Sequence, residues 1–470
     1  MSSASVSHAL QSSLVTSLGV KILSFLISVI TVRFSSVSDF GKISVQYQLY
    51  VSLPLFLMKE GFRRSAIRES DPGISRHVTM VGIVFTTILI IISGFALVLV
   101  NSEDINTVWL ISIGLVIETI AEVLLIHQLV VMKNFASRTM AETWSSFVRS
   151  FSLLFFLYHE YSPGTAFGLA QIVYGLSWFA LLARNVHIRS VVGAIVPSSS
   201  FPVSNVVEMG LSAIQKLLLT EGERILAVSI LSADGMGQLG LITNLGSIVL
   251  RLLFAPIEDI AFTGLARTKK ISDRLRIIQS IFAIQFTVGL LGAVFGPLAA
   301  QHVIHILYGP TWSSRPEVVL LLQVYCVFLL TCSANGPLEA YYFAIADSKK
   351  VRFAMISQAI AFGIFVMVVV AIRNTSGSLA IVVGNTIAML VRIGWSTTAF
   401  PSARDFLHPQ LRVVVVRVLL AGLATWTLIL TTGVGDRMIV SLGLVASMAL
   451  VTLGSILRTL RAMLSDAKNV

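Results

Sequence analysis

Residues 78–100 read VTMVGIVFTTILIIISGFALVLV, a stretch of 23 residues without a charged side chain. A helix needs about 20 predominantly apolar residues to cross the hydrocarbon core of a bilayer. The stretch therefore predicts a transmembrane helix. The composition agrees, because 55% of the 470 residues are hydrophobic, 12% are charged and the mean hydropathy is +0.87. A soluble chain would carry about 25% charged residues.

Fourteen apolar runs of this kind follow one another along the chain. The first run lacks a basic segment before it and has no clear small-residue cleavage site, so we interpret it as a retained span and not as a signal peptide. We predict an all-α, polytopic membrane protein with about 14 transmembrane helices. The runs lie at 10–32, 43–58, 78–100, 108–130, 143–158, 165–183, 205–231, 236–257, 277–299, 318–333, 353–372, 378–398, 411–431 and 438–457.

The basic residues predict the orientation of the chain. Of the 34 Lys and Arg, 22 lie on the side of the N-terminus when Arg412, at the edge of run 13, is counted with the connection before it. Five lie on the opposite side and seven lie inside runs. Cytosolic connections carry the excess of Lys and Arg in membrane proteins. Both termini are therefore predicted to be cytosolic, which agrees with an even number of spans.

The two halves of the chain resemble each other at an offset of about 196 residues. The turn at 38–41 corresponds to 234–237, Lys21 to Lys216, and Glu60 to Glu258. Repeats of this kind place a transport path at their interface. We predict an N-terminal six-helix bundle at 1–190, a cytosolic linker at 191–204, a C-terminal six-helix bundle at 205–400, and an appended hairpin with a cytosolic tail at 401–470. The linker contains the turn-rich sequence VPSSSFP at 196–202.

The remaining composition argues against several classes of function. The net charge of +11 is explained by cytosolic connections that face anionic lipid, so we expect no nucleic-acid partner. The two cysteines, Cys326 and Cys332, form no disulfide framework, and the eight His show no metal-binding spacing. No glycine-rich phosphate loop is present, so we expect no direct use of ATP. The sequence indicates no cofactor and does not identify a protein partner.

Ionisable residues inside the runs are the candidate functional groups. A charge in the bilayer centre costs at least a few kcal/mol and usually faces the protein interior or a polar cavity. Arg392 lies near a cytosolic end, where its long side chain can reach the surface, so we leave it out of the site. The other charges inside runs are Lys21, Glu118, Glu122, Arg149, Glu208, Lys216, Glu221, Glu223, Arg224, Arg251 and, in the appended hairpin, Arg417.

Two interpretations of these charges remain open. In one, Lys21, Arg149, Arg224 and Arg251 line a polar cavity and bind an anionic headgroup, because guanidinium groups donate two parallel hydrogen bonds to phosphate. In the other, the charges satisfy one another, as Glu221 and Arg224 can at their spacing of three residues. Likewise, Glu118 and Glu122 form either a proton or cation site or a set of partners for the cations.

A dense charged cluster, KEGFRR at 59–64, follows the second run. It is either a positive-inside anchor or part of the site. At this cluster the chain resembles the Rft family, which belongs to a superfamily of multidrug, oligosaccharidyl-lipid and polysaccharide exporters. Lys59 stands where the family has Arg, and Asp259 where it has Glu. The matching segments are TVRF at 31–34, EGFRR at 60–64, TEGER at 220–224, NLGS at 244–247 with Arg251, PIED at 256–259, Tyr308-Gly309, and Asn335-Gly336 with Glu339.

The resemblance implies two six-helix bundles that face one another across a cavity, with a terminal hairpin. It also implies a role in protein N-glycosylation in the endoplasmic reticulum membrane, with dolichol-pyrophosphate oligosaccharide as the substrate. The protein would be a translocator and not an enzyme. On this interpretation the pyrophosphate binds Lys21, Arg33, Arg63, Arg64, Arg149, Arg224 and Arg251. The residues assigned to gating or charge pairing are Glu60, Glu118, Glu122, Glu221, Glu258, Asn335 and Glu339.

Three functions fit these residues. The first is an ATP-independent flippase for the oligosaccharide lipid. The second is a lipid-binding scaffold or chaperone that supports the same pathway without transport. The third is a cation-coupled exporter of small molecules that uses Glu118 and Glu122.

Overall fold

The structure is a computed structural model. It describes residues 19–20, 22–69, 71–101, 103–132, 135–184, 202–400, 407, 411–432 and 445–448. The secondary structure of these residues is helical throughout, without a strand. Lys21, most of the predicted linker and most of the last predicted run lie outside the described residues.

Thirteen helices, numbered here in chain order, follow the first thirteen apolar runs within the described part of the chain. Several contain π-helical turns and are given as composite ranges. They are α1 Ile22–Phe34, α2 37–68, α3 Pro72–Asn101, α4 105–131, α5 Phe135–Tyr158, α6 Pro163–Ala183, α7 Val203–Ile230, α8 233–267, α9 Ile271–Tyr308, α10 Pro316–Ile345, α11 Ser348–Ser376, α12 Ser378–Ser396 and α13 Leu411–Thr432.

The predicted all-α membrane fold is confirmed. Within the described residues, nine helices are long and apolar enough to cross a membrane: α3, α4, α6 and α8–α13. The two runs that looked short in the sequence, 43–58 and 143–158, lie within the longer helices α2 and α5. Both helices carry charged residues, as does α7. The total of about 14 spans stays a prediction.

Local sequence explains where the helices begin and end. The hydroxyl of Ser36 accepts a hydrogen bond from the Asp39 amide at the start of α2, and Ser162 does the same for Thr165 ahead of Pro163 in α6. Such caps satisfy amide groups that have no partner inside the helix. Gly377, at φ 49°, separates α11 from α12 in a conformation that glycine adopts without a steric penalty.

Four π-helical turns interrupt three of the helices. They are Lys42–Tyr47 and Met58–Phe62 in α2, His127–Val131 at the end of α4, and Val249–Phe254 in α8. Such turns are rare in proteins as a whole, and those that occur are often found at functional sites. Two of them contain residues that the sequence singled out, Glu60 in α2 and Arg251 in α8. Because α2 and α8 correspond in the predicted repeat, their π turns are a further likeness between the halves.

The described chain forms two compact units, 1–237 and 238–470. The first contains α1–α7 and the first residues of α8, and its core includes Tyr47, Ile111 and Phe167. The second contains the rest of α8 and α9–α13, with a core around Phe282, Leu338 and Val414. Helix α7 therefore belongs to unit 1 in its contacts, whereas the sequence assigned it to the C-terminal bundle. The predicted domain boundaries stay a prediction.

Two glycines of unit 1 allow a close approach between the start of α2 and the start of α8. A Cβ on Gly41 would overlap the carbonyl oxygen of Ala233 and lie 2.6 Å from the amide nitrogen of Gly237. A Cβ on Gly237 would overlap the carbonyl oxygen of Val37. These obstacles are backbone atoms, so the helices would have to separate to accept a side chain.

We predict that Gly41→Ala destabilises the protein by about 1–3 kcal/mol, the usual cost of overpacking. The matched control is Gly235→Ala, whose Cβ would meet only side-chain atoms at 3.4 Å or more. That control should be neutral or stabilising, because alanine favours the helix by about 1 kcal/mol. Thermal unfolding of the purified protein in detergent measures both. Equal melting temperatures for the two variants would contradict the prediction.

Candidate functional site

Two ion pairs join α2 to α4 inside unit 1. The Lys59 ammonium lies 2.8 Å from Glu118 Oε1, and Arg63 donates from Nε to Glu122 Oε2 at 2.7 Å and from Nη2 to Glu122 Oε1. Gln171 on α6 donates to the other oxygen of Glu118 at 3.0 Å. Each helix contributes its two charges at a spacing of four residues, so the pairs lie one above the other.

The ion pair between Arg63 and Glu122 is more deeply buried than that between Lys59 and Glu118, and it therefore constrains the structure more strongly. The side chains of Arg63 and Glu122 are 6% and 0% exposed, whereas Lys59 keeps 33% of its side chain exposed. Removing one partner of a buried ion pair leaves an uncompensated charge. Both acids of α4 therefore pair with cations of α2, and their role in function stays a prediction. A direct contact between Arg63 and an anion would require breaking its pair with Glu122.

Glu60 is the centre of an exposed charge cluster on a different face of α2. Its carboxylate lies 2.8 Å from Arg64 Nη2 and 2.6 Å from the Lys216 ammonium on α7. The side chains of Arg64 and Lys216 are 54% and 50% exposed. Both cations thus retain accessible hydrogen-bond donors, unlike Arg63.

Helix α7 presents a polar stripe beside an apolar one. Exposed polar residues recur every four positions, and exposed Val207, Leu211, Ile214 and Leu218 form the neighbouring stripe. Acyl chains cannot satisfy a row of polar side chains, whereas they suit the apolar row. The polar stripe therefore suits a water-filled path or a polar ligand. Its residues are Ser204, Glu208, Ser212, Lys216 and Thr220.

Arg149 on α5 is a cation held by aromatic rings and an amide. Its guanidinium carbon lies 4.9 Å from the ring centre of Phe167 and 5.9 Å from that of Tyr174, and Nη2 donates to Gln48 at 3.1 Å. Ring faces attract cations electrostatically. Among the described residues, no carboxylate forms an ion pair with Arg149. The group therefore keeps capacity to bind an anion.

In unit 2, one carboxylate accepts hydrogen bonds from three other side chains. Glu339 on α10 accepts from Asn335 at 2.8 Å, from Gln358 on α11 at 2.6 Å and from Arg392 on α12 at 2.6 Å. Arg392 pairs with Glu339 and keeps 32% of its side chain exposed, so its extension to the membrane surface stays a prediction. Glu339 thereby links three helices.

Glu258 on α8 lies against α9 and α10. Gln285 donates to its Oε1 at 2.8 Å, and a Cβ on Gly336 would overlap the same oxygen. Glycine at 336 therefore provides the space that the carboxylate occupies. The residues Glu258, Asn335 and Glu339 thus lie around one segment of α10, as part of a polar cluster in unit 2.

The remaining candidate cations differ in their surroundings. Arg251 on the π turn of α8 is exposed, and within the described residues it has neither an ion pair nor a hydrogen bond from its guanidinium. Arg224 pairs with Glu221 at 2.8 Å, the local contact that their spacing allows. Arg33 is exposed at the end of α1. Lys21 lies outside the described residues.

Sequence reasoning missed several partners of the charged groups. Gln48, Gln171, Gln285 and Gln358 are neutral and carry no signal of their own. The role of Lys59 had a signal, because Lys59 and Arg63 repeat the four-residue spacing of the acids Glu118 and Glu122. Complementary spacing on a predicted span and on the segment that follows another span indicates a ladder of ion pairs.

We predict that Arg63→Met destabilises unit 1 by about 3–5 kcal/mol, because Glu122 would remain buried without a counter-charge. The double variant Arg63→Met/Glu122→Met should recover most of that loss, since an apolar pair of similar volume replaces the buried ion pair. Urea or thermal unfolding of both variants tests this. A double variant as unstable as the single one would show that the pair is not the source of the effect.

The fold defines a polytopic membrane protein, and two solved structures share that fold. A solved structure titled as the lipid II flippase MurJ in an inward closed conformation matches with a TM-score of 0.58 at 11% identity, covering 95% of this chain and 99% of that one. An inward-facing MATE family transporter matches with a TM-score of 0.55 at 15% identity, covering 80% and 94%.

The family model described as Rft protein matches residues 5–470, so the chain belongs to the Rft family. The protein from Xenopus tropicalis named Man(5)GlcNAc(2)-PP-dolichol translocation protein RFT1 is 25% identical over 396 residues, 73% of this chain and 72% of that protein. The Mus musculus protein of the same name is 23% identical over 432 residues, 79% and 77%. In the Eremothecium gossypii relative the match covers only 28% of that protein.

Proposed function

We propose that this protein translocates dolichol-pyrophosphate-linked oligosaccharide across the endoplasmic reticulum membrane. The relatives from Xenopus tropicalis and Mus musculus bear the name of that activity. The observation in the chain itself that carries the proposal is Arg251, an exposed cation without a partner among the described residues, on a helix long and apolar enough to cross a membrane. An exposed cation at such a position suits an anionic headgroup that passes through the bilayer.

The pyrophosphate meets exposed cations first. Arg251 and Arg64 offer planar guanidinium groups that donate two parallel hydrogen bonds to phosphate, and Lys216 adds a point charge. Arg149 and Arg224 are further candidates, since each keeps donors accessible or lacks an acidic partner. The isoprenoid stays in the bilayer, where the exposed apolar stripe of α7 offers a matching surface.

The buried pairs have a supporting role in this proposal. Lys59–Glu118 and Arg63–Glu122 fix α2 against α4, so that Glu60 and Arg64 are presented on a rigid element. In unit 2, Glu339 fixes α10 against α11 and α12. No covalent bond forms or breaks in the lipid during translocation, so the proposed activity itself requires no catalytic residue.

The orientation and the compartment also belong to the proposal. The excess of Lys and Arg in alternate connections supports cytosolic termini. The location in the endoplasmic reticulum membrane is what the resemblance to the Rft family implies, and it forms part of the proposal.

We predict that Arg251→Gln slows the movement of labelled oligosaccharide lipid between leaflets of reconstituted liposomes at least about tenfold, the equivalent of one charge-assisted hydrogen bond. Because Arg251 has no partner among the described residues, the Arg251→Gln protein should melt at the same temperature as the parent protein. The matched control is Arg267→Gln, which removes an exposed charge at the end of the same helix and should leave the rate unchanged.

The same assay separates the competing functions. Lipid that binds but moves no faster than in empty vesicles would support a scaffold or chaperone. Movement that requires a sodium or proton gradient would support a cation-coupled exporter. Equal rates for Arg251→Gln and the parent would remove Arg251 from the path.

A further inference from the structure

Helix α7 has three faces with different surroundings. One packs on α2, where a Cβ on Gly61 would lie 3.7 Å from Gly210 Cα and 3.8 Å from Ala213 Cβ. The second is the exposed apolar stripe, and the third is the polar stripe. At about 100° per residue, the polar stripe lies between the other two faces. It therefore borders both the face that suits acyl chains and the helix that carries Glu60 and Arg64.

The polar stripe is long enough to follow a ligand through much of a bilayer. Its first and last residues, Ser204 and Thr220, lie about 24 Å apart along the axis at about 1.5 Å per residue. The hydrocarbon core of a bilayer is about 30 Å thick. All five side chains of the stripe are exposed. The stripe therefore offers hydrogen-bonding groups over most of that depth.

At the middle of the stripe, Ser212 has a hydroxyl without a protein partner. Ser212 is exposed, and its hydroxyl makes no hydrogen bond within the described residues. Elsewhere on α7, Thr220 donates to the Lys216 carbonyl oxygen at 2.7 Å and Ser229 to that of Ile225 at 2.7 Å. Such bonds to the preceding turn satisfy a hydroxyl that acyl chains cannot. Ser212 instead keeps its donor and acceptor available to a ligand.

The composition of the stripe fits an uncharged ligand with many hydroxyl groups. Glu208 and Lys216 balance each other in charge, and the other three members are hydroxyl residues. A path for ions of one sign would carry the opposite charge throughout. A sugar hydroxyl both donates and accepts, so it matches hydroxyl and carboxylate groups alike. Ser212 lies one turn from Lys216, about 6 Å along the axis.

We propose that the polar stripe of α7 binds the oligosaccharide of the transported lipid, with Ser212 exchanging hydrogen bonds with a sugar hydroxyl. This inference rests on the proposed function for the identity of the lipid. A pyrophosphate at Lys216 and Arg64 would place its attached sugar beside Ser212, while the isoprenoid lies on the neighbouring apolar stripe. Ser212 would thus distinguish a lipid that carries sugar from one that ends in bare pyrophosphate.

Two water-soluble ligands test the site on the purified full-length protein in neutral detergent. Both are pyrophosphate esters of a short prenol, one bare and one carrying a mannose-containing oligosaccharide. The rise in melting temperature with ligand concentration gives each dissociation constant. We expect the parent to bind the glycosylated ligand more tightly than the bare one. Lys216→Gln should weaken both ligands by the same factor, because both contain the pyrophosphate.

The variant Ser212→Ala isolates the contribution of the sugar. It should weaken the glycosylated ligand about fivefold, the loss of one neutral hydrogen bond, and leave the bare ligand unchanged. Without ligand it should melt as the parent does, since the hydroxyl has no partner within the described residues. The matched control is Ser229→Ala, on the apolar side of the same helix, which should bind both ligands as the parent does.

Three results would overturn the proposal. They are equal affinity of the parent for the two ligands, unchanged binding of the glycosylated ligand by Ser212→Ala, and equal weakening of both ligands by that variant. The liposome assay tests the proposed function separately. Binding that depends on Ser212 without movement between leaflets would remove translocation and leave the sugar site. Movement by the parent, together with unchanged binding by Ser212→Ala, would retain translocation and remove the sugar site.

Discussion

The contact between Arg63 and Glu122 constrains the rest of unit 1. Both side chains are buried on helices of a membrane protein, where an unpaired charge costs several kcal/mol. The two charges therefore hold α2 against α4 at a fixed height, and Lys59 repeats the arrangement one turn away with Glu118. Once this face of α2 is fixed, Glu60 and Arg64 must point elsewhere, towards α7 and the polar stripe.

Much of the fold could be predicted from the sequence because hydrophobic length is a local property. Runs such as 78–100 and 277–299 became α3 and α9 without a change of order. The ends of α2 could not be predicted, since Lys42 and Lys59 interrupt the apolar pattern while the tertiary partners Glu103 and Glu118 neutralise them. Hydropathy cannot recognise a charge that another helix neutralises.

The candidate site could be predicted as a list of residues but not as a set of pairs. Local pairing was visible for Glu221 and Arg224, three positions apart. The partners of Arg63 and Arg392 lie 59 and 53 positions away, and only the packed helices bring them together. Arg392 shows the consequence clearly, because its position near a span end gave no sign that Glu339 lies within pairing distance.

On the proposed function, the free-energy cost of breaking each ion pair decides which cations can exchange a protein partner for a pyrophosphate. Exposed ion pairs contribute about 0–1 kcal/mol, so an anion can take Arg64 or Lys216 from Glu60 at little cost. Separating the buried Arg63 from Glu122 costs about 3–5 kcal/mol, which is comparable to the whole binding energy of a millimolar ligand. On the proposed function, the buried pair persists while the exposed cluster exchanges, and Glu60 would hold its two cations in place between substrates. Arg251, with no such acid among the described residues, would be available to the anion from the start.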